Sequence, residues 1–381
     1  MNHRKKVAYI YPYSFQYRGP FHTKLRSILE ARHIDYDFIY SREPHFGPSR
    51  GDLIDPPEGI SVACTYLKLG GVEVRYQHAL LKALKYDLVI LQQENGLLLN
   101  YPLQILAPYF GTKRAFFGHG KNFQSCNSQS LRERFKRLWL TKTDWWFAYT
   151  DASHRAVTSA GFPSQRITVF NNSTDTTKIA EDLKQIDTLE LERERNRLFG
   201  GSKNVAVYVG ALYDKKRIGF MIEAARLVRE AVPDFHLLVI GGGQDRQSIE
   251  NAAIKYEWLH YLGPKFGFEK TFYCSLGSMM LMPGLVGLSI VDSFALGIPI
   301  ITTDVPYHSP EISYLKSGVN GIIVKNSEDI SAYANAVLQL ISDEKMISRL
   351  KEGCRESSSE FSIERMAERF ADGVCSALHS V

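Results

Sequence analysis

Short uninterrupted apolar runs recur along the chain, and between them the apolar positions spread to every third or fourth residue. The runs Lys6–Pro12, Asp35–Tyr40, Asp87–Leu91 (DLVIL), Arg114–Phe117, Trp145–Tyr149 (WWFAY) and Arg166–Phe170 (RITVF) read as strands buried on both faces. Phe21–Arg32 carries Leu25, Ile28 and Leu29 at helical spacing. Strand and helix in alternation build one parallel sheet. The polar stretch Asp175–Gly200 is helical in character, ends on two glycines and reads as a connection. Alternation then restarts: a strand Val205–Val209, a helix Arg217–Ala231, a strand Leu237–Ile240, a helix Gln244–Lys255 and a strand Leu259–Leu262. A strand Gly321–Val324 and helices Asp329–Ile341 and Asp343–Ser357 follow. Two such series of similar size predict an α/β protein with two doubly wound, Rossmann-like domains facing each other across a cleft. The expected boundaries are 1–172, 173–360, and a last helix in 361–381 that returns to the first domain.

With 381 residues the chain exceeds what one core usually holds, which agrees with two domains. Its 44% hydrophobic and 23% charged content excludes a disordered protein. The net charge of +5 is compatible with anionic partners, but it is far from the dense basic face of a nucleic-acid binder. Five scattered cysteines, Cys64, Cys126, Cys274, Cys354 and Cys375, without a Cys-x-x-Cys pair, read as reduced thiols. The basic N-terminus lacks the apolar core of a signal peptide, and no run is long enough to span a bilayer. The expectation is a cytoplasmic protein. Arg50-Gly51-Asp52 reads as a turn, and Asn171-Asn172-Ser173-Thr174 is then no glycosylation site.

The stretch 281–304, LMPGLVGLSIVDSFALGIPIITTD, joins two apolar strands through a Pro-Gly turn and a helix opening at Gly287-Leu288-Ser289. Free backbone N–H groups and a dipole of roughly +0.5 charge converge at such a helix start, which favours anions. Gly241-Gly242-Gly243 lacks dinucleotide-fingerprint spacing and reads as a tight turn.

These segments carry a resemblance. VYVGALYDKKRIGFMIEAARLV (207–228), LLVIGGGQDR (237–246), the 281–304 stretch and SPEISYLKSGVNGIIV (309–324) resemble, in order, the donor domain of retaining GT-B glycosyltransferases of family 4. FFGHGKNFQ (116–124), FAYTDASHRAVTSAGFP (147–163) and ITVFNNSTDT (167–176) resemble its first half more loosely. The resemblance implies a nucleoside diphosphate sugar as donor, a glycan or lipid-linked glycan as acceptor, and no metal cofactor. It places Gly210, Lys216, Arg217, Gly287, Leu288, Ser289 and Asp292 at the donor, with Lys216 neutralising the diphosphate and Asp292 on the ribose. Lys265–Glu269 lies where the family places the base.

Two positions depart from the family. Gly284 stands where the first glutamate of its Glu-x7-Glu signature belongs, and Ala211 where an arginine is usual; Arg217 or Lys215 is the candidate substitute cation. A glycine at 284 leaves space for a different sugar or permits a different loop course. In the first domain His119, between glycines after a strand, is the residue set nearest the chemistry, with Arg18, Gly19, Glu94 and Asn95 as acceptor-side or phosphate-side candidates. Asp35-Tyr36-Asp37 begins a strand without further ligands nearby and is not read as a metal site. The 130–146 segment alternates basic and apolar residues, so it is either a charged helix face or a peripheral contact with the inner membrane face. The expected role is bacterial surface polysaccharide assembly. An epimerase or hydrolase of the same fold, and a catalytically silent partner of another transferase, remain the alternatives.

Overall fold

The computed structural model describes residues 4–42, 53–69, 72–120 and 139–380. The 50–52 turn, Cys126 and most of the 130–146 segment lie outside them. The chain divides into two compact units, 1–172 with 363–381, and 173–362.

In the first unit the strands are β1 (Lys5–Ile10), β2 (Ile34–Tyr40), β3 (Gly59–Ser61), β4 (Cys64–Leu69), β5 (Val72–Gln77), β6 (Leu88–Gln92), β7 (Lys113–Gly118), β8 (Trp145–Ala148) and β9 (Ile167–Val169). Seven of them form a wholly parallel sheet in the order β3-β2-β1-β6-β7-β8-β9. Alternate side chains along each strand feed two cores. Val7, Tyr9, Leu88, Ile90, Phe117 and Phe147 face one, while Ala8, Ile10, Val89, Leu91, Phe116 and Trp146 face the other. The first core is closed by Met366, Phe370 and Val374 of the C-terminal helix Ile363–His379, which also pairs Glu364 with Lys24 and Asp372 with Arg32. The antiparallel hairpin β4–β5 had no counterpart in the apolar pattern, because its side chains are largely half-buried or exposed.

The second unit contains β10 (Val205–Val209), β11 (His236–Ile240), β12 (Leu259–Tyr261), β13 (Met279–Leu281), β14 (Ile300–Thr303) and β15 (Gly321–Val324), parallel in the order β12-β11-β10-β13-β14-β15. The polar 175–200 stretch is not a free connection. It forms the helices Thr176–Gln185 and Thr188–Phe199, which bury Ile179, Asp182 and Phe199 within this unit. Strand order turns back between β1 and β6 in the first sheet and between β10 and β13 in the second. The loops at the carboxyl ends of those strands diverge and leave a crevice, which is where open α/β sheets bind ligands.

Candidate donor site

At the turning point of the second sheet, β10 runs into Gly210 and β11 into Gly241. A Cβ on Gly241 would lie 1.8 Å from the Gly210 carbonyl oxygen, so only glycine lets the two strand ends approach this closely. Beyond Gly210 the chain makes a short 3-10 turn, Asp214–Lys216, before the helix Ile218–Ala231. After β13 comes the Pro283–Leu288 loop and then the helix Ser289–Leu296.

The two loops are laced together. Leu285 N–H donates to the Lys215 carbonyl at 2.8 Å, and the Lys216 ammonium donates to the Leu285 carbonyl at 2.6 Å. Lys216 is buried, and that burial lowers its pKa to about 8. Val286 is clamped from the other side: its N–H donates to His308 Nδ1 at 3.1 Å, and its carbonyl accepts from Ser309 N–H at 3.0 Å. His308 Nε2 donates in turn to the Thr303 carbonyl at 2.8 Å, which fixes the neutral tautomer; burial moves its pKa in the same direction, downward.

Between these loops lies a recess of about 660 Å³, lined by Gly210, Ala211 and Lys216 on one side and Gly287, Leu288, Ser289 and Asp292 on another, with Pro264, Phe266 and Lys270 at the third. Ser289 Oγ is buried here without a hydrogen-bond partner, at the start of a helix whose first N–H groups have no intrahelical acceptor. Asp292 accepts from Thr174 Oγ1 at 2.8 Å and from the Lys270 ammonium at 3.0 Å. The Asp292 carboxylate in turn raises the pKa of Lys270. Each carboxylate oxygen keeps a further lone pair for a hydroxyl.

Six of the seven residues expected at the donor line this recess. The seventh, Arg217, does not. Its backbone is left-handed (φ 58°), and its guanidinium lies 4.3 Å from the Phe220 ring centroid and pairs with Glu328 at 3.0 Å. Lys215, the other candidate for the arginine missing at Ala211, does not line the recess either; its ammonium lies 5.9 Å from the Tyr307 ring centroid. The other ammonium groups that line the recess are those of Lys270 and Lys265. No motif pointed to Lys270, whose link to Asp292 is made through space.

Gly284 leaves no space. A Cβ there would stand 2.2 Å from the Lys215 carbonyl oxygen and 2.7 Å from Lys216 Cα. The turn that carries Lys216 occupies the place from which a side chain would start, so the glycine does not open space for a sugar but lets the 215–216 backbone approach closely.

In the first unit, His119 follows β7 and meets the Tyr149 ring edge-on at 4.4 Å; the Arg18 guanidinium lies 5.7 Å from the centroid of the same ring. Gly19 opens the helix Gly19–Ala31. Glu94 and Asn95 follow β6, with Asn95 holding the Tyr101 hydroxyl through its carbonyl at 3.0 Å. His119, Arg18 and Glu94 thus come from loops that all follow the carboxyl ends of this unit's central strands.

Residues 191–357 match the family model of glycosyl transferases group 1. A putative glycosyltransferase of Bacillus subtilis, EpsD, is 24% identical over 283 residues, 69% of each chain. Among solved structures, Anabaena HepE in complex with UDP superimposes with a TM-score of 0.68 at 15% identity, covering 98% of this chain and all of that one. WaaG, a glycosyltransferase involved in lipopolysaccharide biosynthesis, superimposes with a TM-score of 0.65 at 16% identity, covering 96% and 98%. The fold is GT-B.

Proposed function

We propose that this chain, a GT-B glycosyltransferase whose residues 191–357 carry the group 1 domain, moves a sugar from a nucleoside diphosphate sugar to a glycan or lipid-linked glycan with retention of configuration. The observation that carries this reading is the recess at the turning point of the second sheet. It combines a buried ammonium, a helix start with an unpartnered hydroxyl, and a carboxylate with spare lone pairs. That set matches a diphosphate flanked by a ribose. As the glycosidic bond breaks, the leaving diphosphate gains negative charge, and a fixed cation at Lys216 stabilises that state more than the bound donor. No step asks for a metal.

The family's glutamate cannot act at 284, so the donor sugar meets main chain there, and His119 is the side chain proposed to orient it. HepE has also been solved with UDP-glucose, which supports a uridine diphosphate donor, and WaaG is involved in lipopolysaccharide biosynthesis, which supports a role in surface polysaccharide assembly.

The test is incubation with uridine and guanosine diphosphate sugars in the presence of EDTA, with and without a membrane lipid extract. Free nucleotide released only with extract is expected. A new sugar nucleotide would make the chain an epimerase, extract-independent release a hydrolase, and absence of donor binding a silent partner.

A further inference from the structure

The first unit opens with aromatic residues at every second position, Tyr9, Tyr11, Tyr13, Phe15 and Tyr17, and the series ends on Arg18. Phe15 packs against Tyr11, Tyr13 and Tyr17 with centroids 5.6 to 5.9 Å apart, and Arg18 N–H closes the turn on the Phe15 carbonyl at 3.0 Å. This aromatic turn places the half-buried Arg18 side chain beyond the carboxyl end of β1, with its guanidinium 5.1 Å from the Tyr17 centroid and 5.7 Å from that of Tyr149.

Among the described residues, no carboxylate pairs with Arg18 and no acceptor takes a hydrogen bond from its side chain. The groups that act on it most strongly electrostatically are Tyr17, Tyr149, Tyr9 and Tyr11. Burial pushes the Tyr9 and Tyr11 phenols well above their usual range, so they stay neutral and balance no charge. Glu94 acts on Tyr11 and on Arg75, whose own partner is Glu73 at 2.9 Å, and it forms no ion pair with Arg18. Nearby His22 is driven down to about 3 by burial and by Arg18 and Arg26, which marks the region as electropositive.

A guanidinium cannot discharge itself, and removing it from water without an anion is costly. Contact with aromatic faces recovers about 0.5–2 kcal/mol. Such contact takes none of the five N–H donors as a conventional hydrogen bond, and their fork matches the two oxygens of a phosphate or carboxylate. A neutral sugar offers no such pair.

We infer that Arg18 is the receptor for an oxyanion, phosphate or carboxylate, on the acceptor, so that the acceptor class is an anionic or phosphate-linked glycan. This rests on the transfer reading above.

The test uses the full chain presaturated with UDP, so that phosphate binding in the donor recess does not contribute. Methyl phosphate, methyl glucuronide and methyl glucoside are titrated calorimetrically into the wild type, R18K, R18Q and R18A, with thermal melting as the check on folding. At least one anion is expected to bind the wild type, roughly tenfold or more weakly to R18A and R18Q, and with intermediate loss to R18K, which keeps the charge without the fork. Whichever of the two anions binds identifies the group. Methyl glucoside should be insensitive to all three changes. Equal anion binding by wild type and R18Q, no anion binding by the folded wild type, or loss of UDP affinity in R18Q with anion binding unchanged would each overturn the inference. Failure of UDP itself to bind would instead sink the donor reading, while the anion titrations still report on Arg18.

Discussion

The two crevices at the turning points of the two sheets are built on the same topological rule and differ in how their charges are held. In the second unit every charged group at the recess has a protein partner: Lys216 holds the Leu285 carbonyl, Asp292 is held by Thr174 and Lys270, and Lys265 pairs with Glu269. In the first unit Arg18 sits among tyrosines and pairs with no anion among the described residues. A site braced by its own residues keeps its shape without ligand, and such preorganisation is what a developing charge requires. An unbraced charge is set to receive its partner from outside. Damage to the braces should therefore lower stability and binding together, while loss of Arg18 should affect binding alone.

The brace at Gly284 should fail most heavily. Gly284→Glu forces a side chain into the backbone of residues 215–216, which has no flexible end to yield. Inserting single methylenes into packed cores already costs about 1–3 kcal/mol, and a glutamate adds more. The expected outcome is a melting temperature lower by roughly 5 °C or more, with UDP binding lost. Restoring the family's glutamate thus removes function instead of improving it; a well-folded, UDP-binding Gly284→Glu would show that the turn does not rest on this glycine.

Next is the cation itself. Lys216→Ala should reduce donor turnover by about 10²–10³-fold, the range for losing one preorganised group facing developing charge. The wild type adds a pH signature. Burial takes Lys216 from 10.5 to about 8, so between those values the unfolded chain binds a proton that the folded chain lacks. Apo stability therefore rises with pH across this window. UDP affinity has the opposite sign, because the diphosphate needs the ammonium, and it should fall as pH climbs through about 8. Melting and UDP titration from pH 7 to 10 read both slopes; Lys216→Ala should flatten them, and slopes that persist in that variant would assign the titration to another group.

How much of this was legible beforehand depends on where the information lies along the chain. The strands of both parallel sheets could be read because burial on both faces leaves unbroken apolar runs such as DLVIL. The hairpin β4–β5, half-buried at best, leaves no such mark. Lys216, Gly287–Ser289 and Asp292 could be placed at the recess because each falls within a contiguous motif that resembles the family's donor domain. Lys270 was not, being 22 residues from Asp292 on another helix with no shared motif. Gly284 appeared only as a missing glutamate, since the backbone that fills its place comes from residues 215–216. Arg217 was not separable from Lys216 in the sequence because a lysine and an arginine in succession look equivalent, while in the fold its backbone is left-handed and its side chain lies against Phe220.

The pair Asp292–Lys270 gives a smaller, more diagnostic effect. Asp292→Asn leaves the Lys270 ammonium without its carboxylate, so the single change should cost more than the loss of a ribose contact. Adding Lys270→Gln should restore part of the stability. A double-mutant cycle is expected to return a coupling of about 0.5–3 kcal/mol, and strict additivity would show that the two residues act independently.

The smallest effect on stability belongs to Arg18, and it is the one that separates the two regions. Arg18→Gln removes a partly desolvated charge and two ring contacts at once. The first favours the fold and the second opposes it, each by about 1 kcal/mol, so the melting temperature should move by no more than about 2 °C. The same substitution abolishes anion capture if that charge waits for a ligand. A large fall in melting temperature would mean that the tyrosine cluster depends on the guanidinium for its packing, and that the first unit is braced from within like the second.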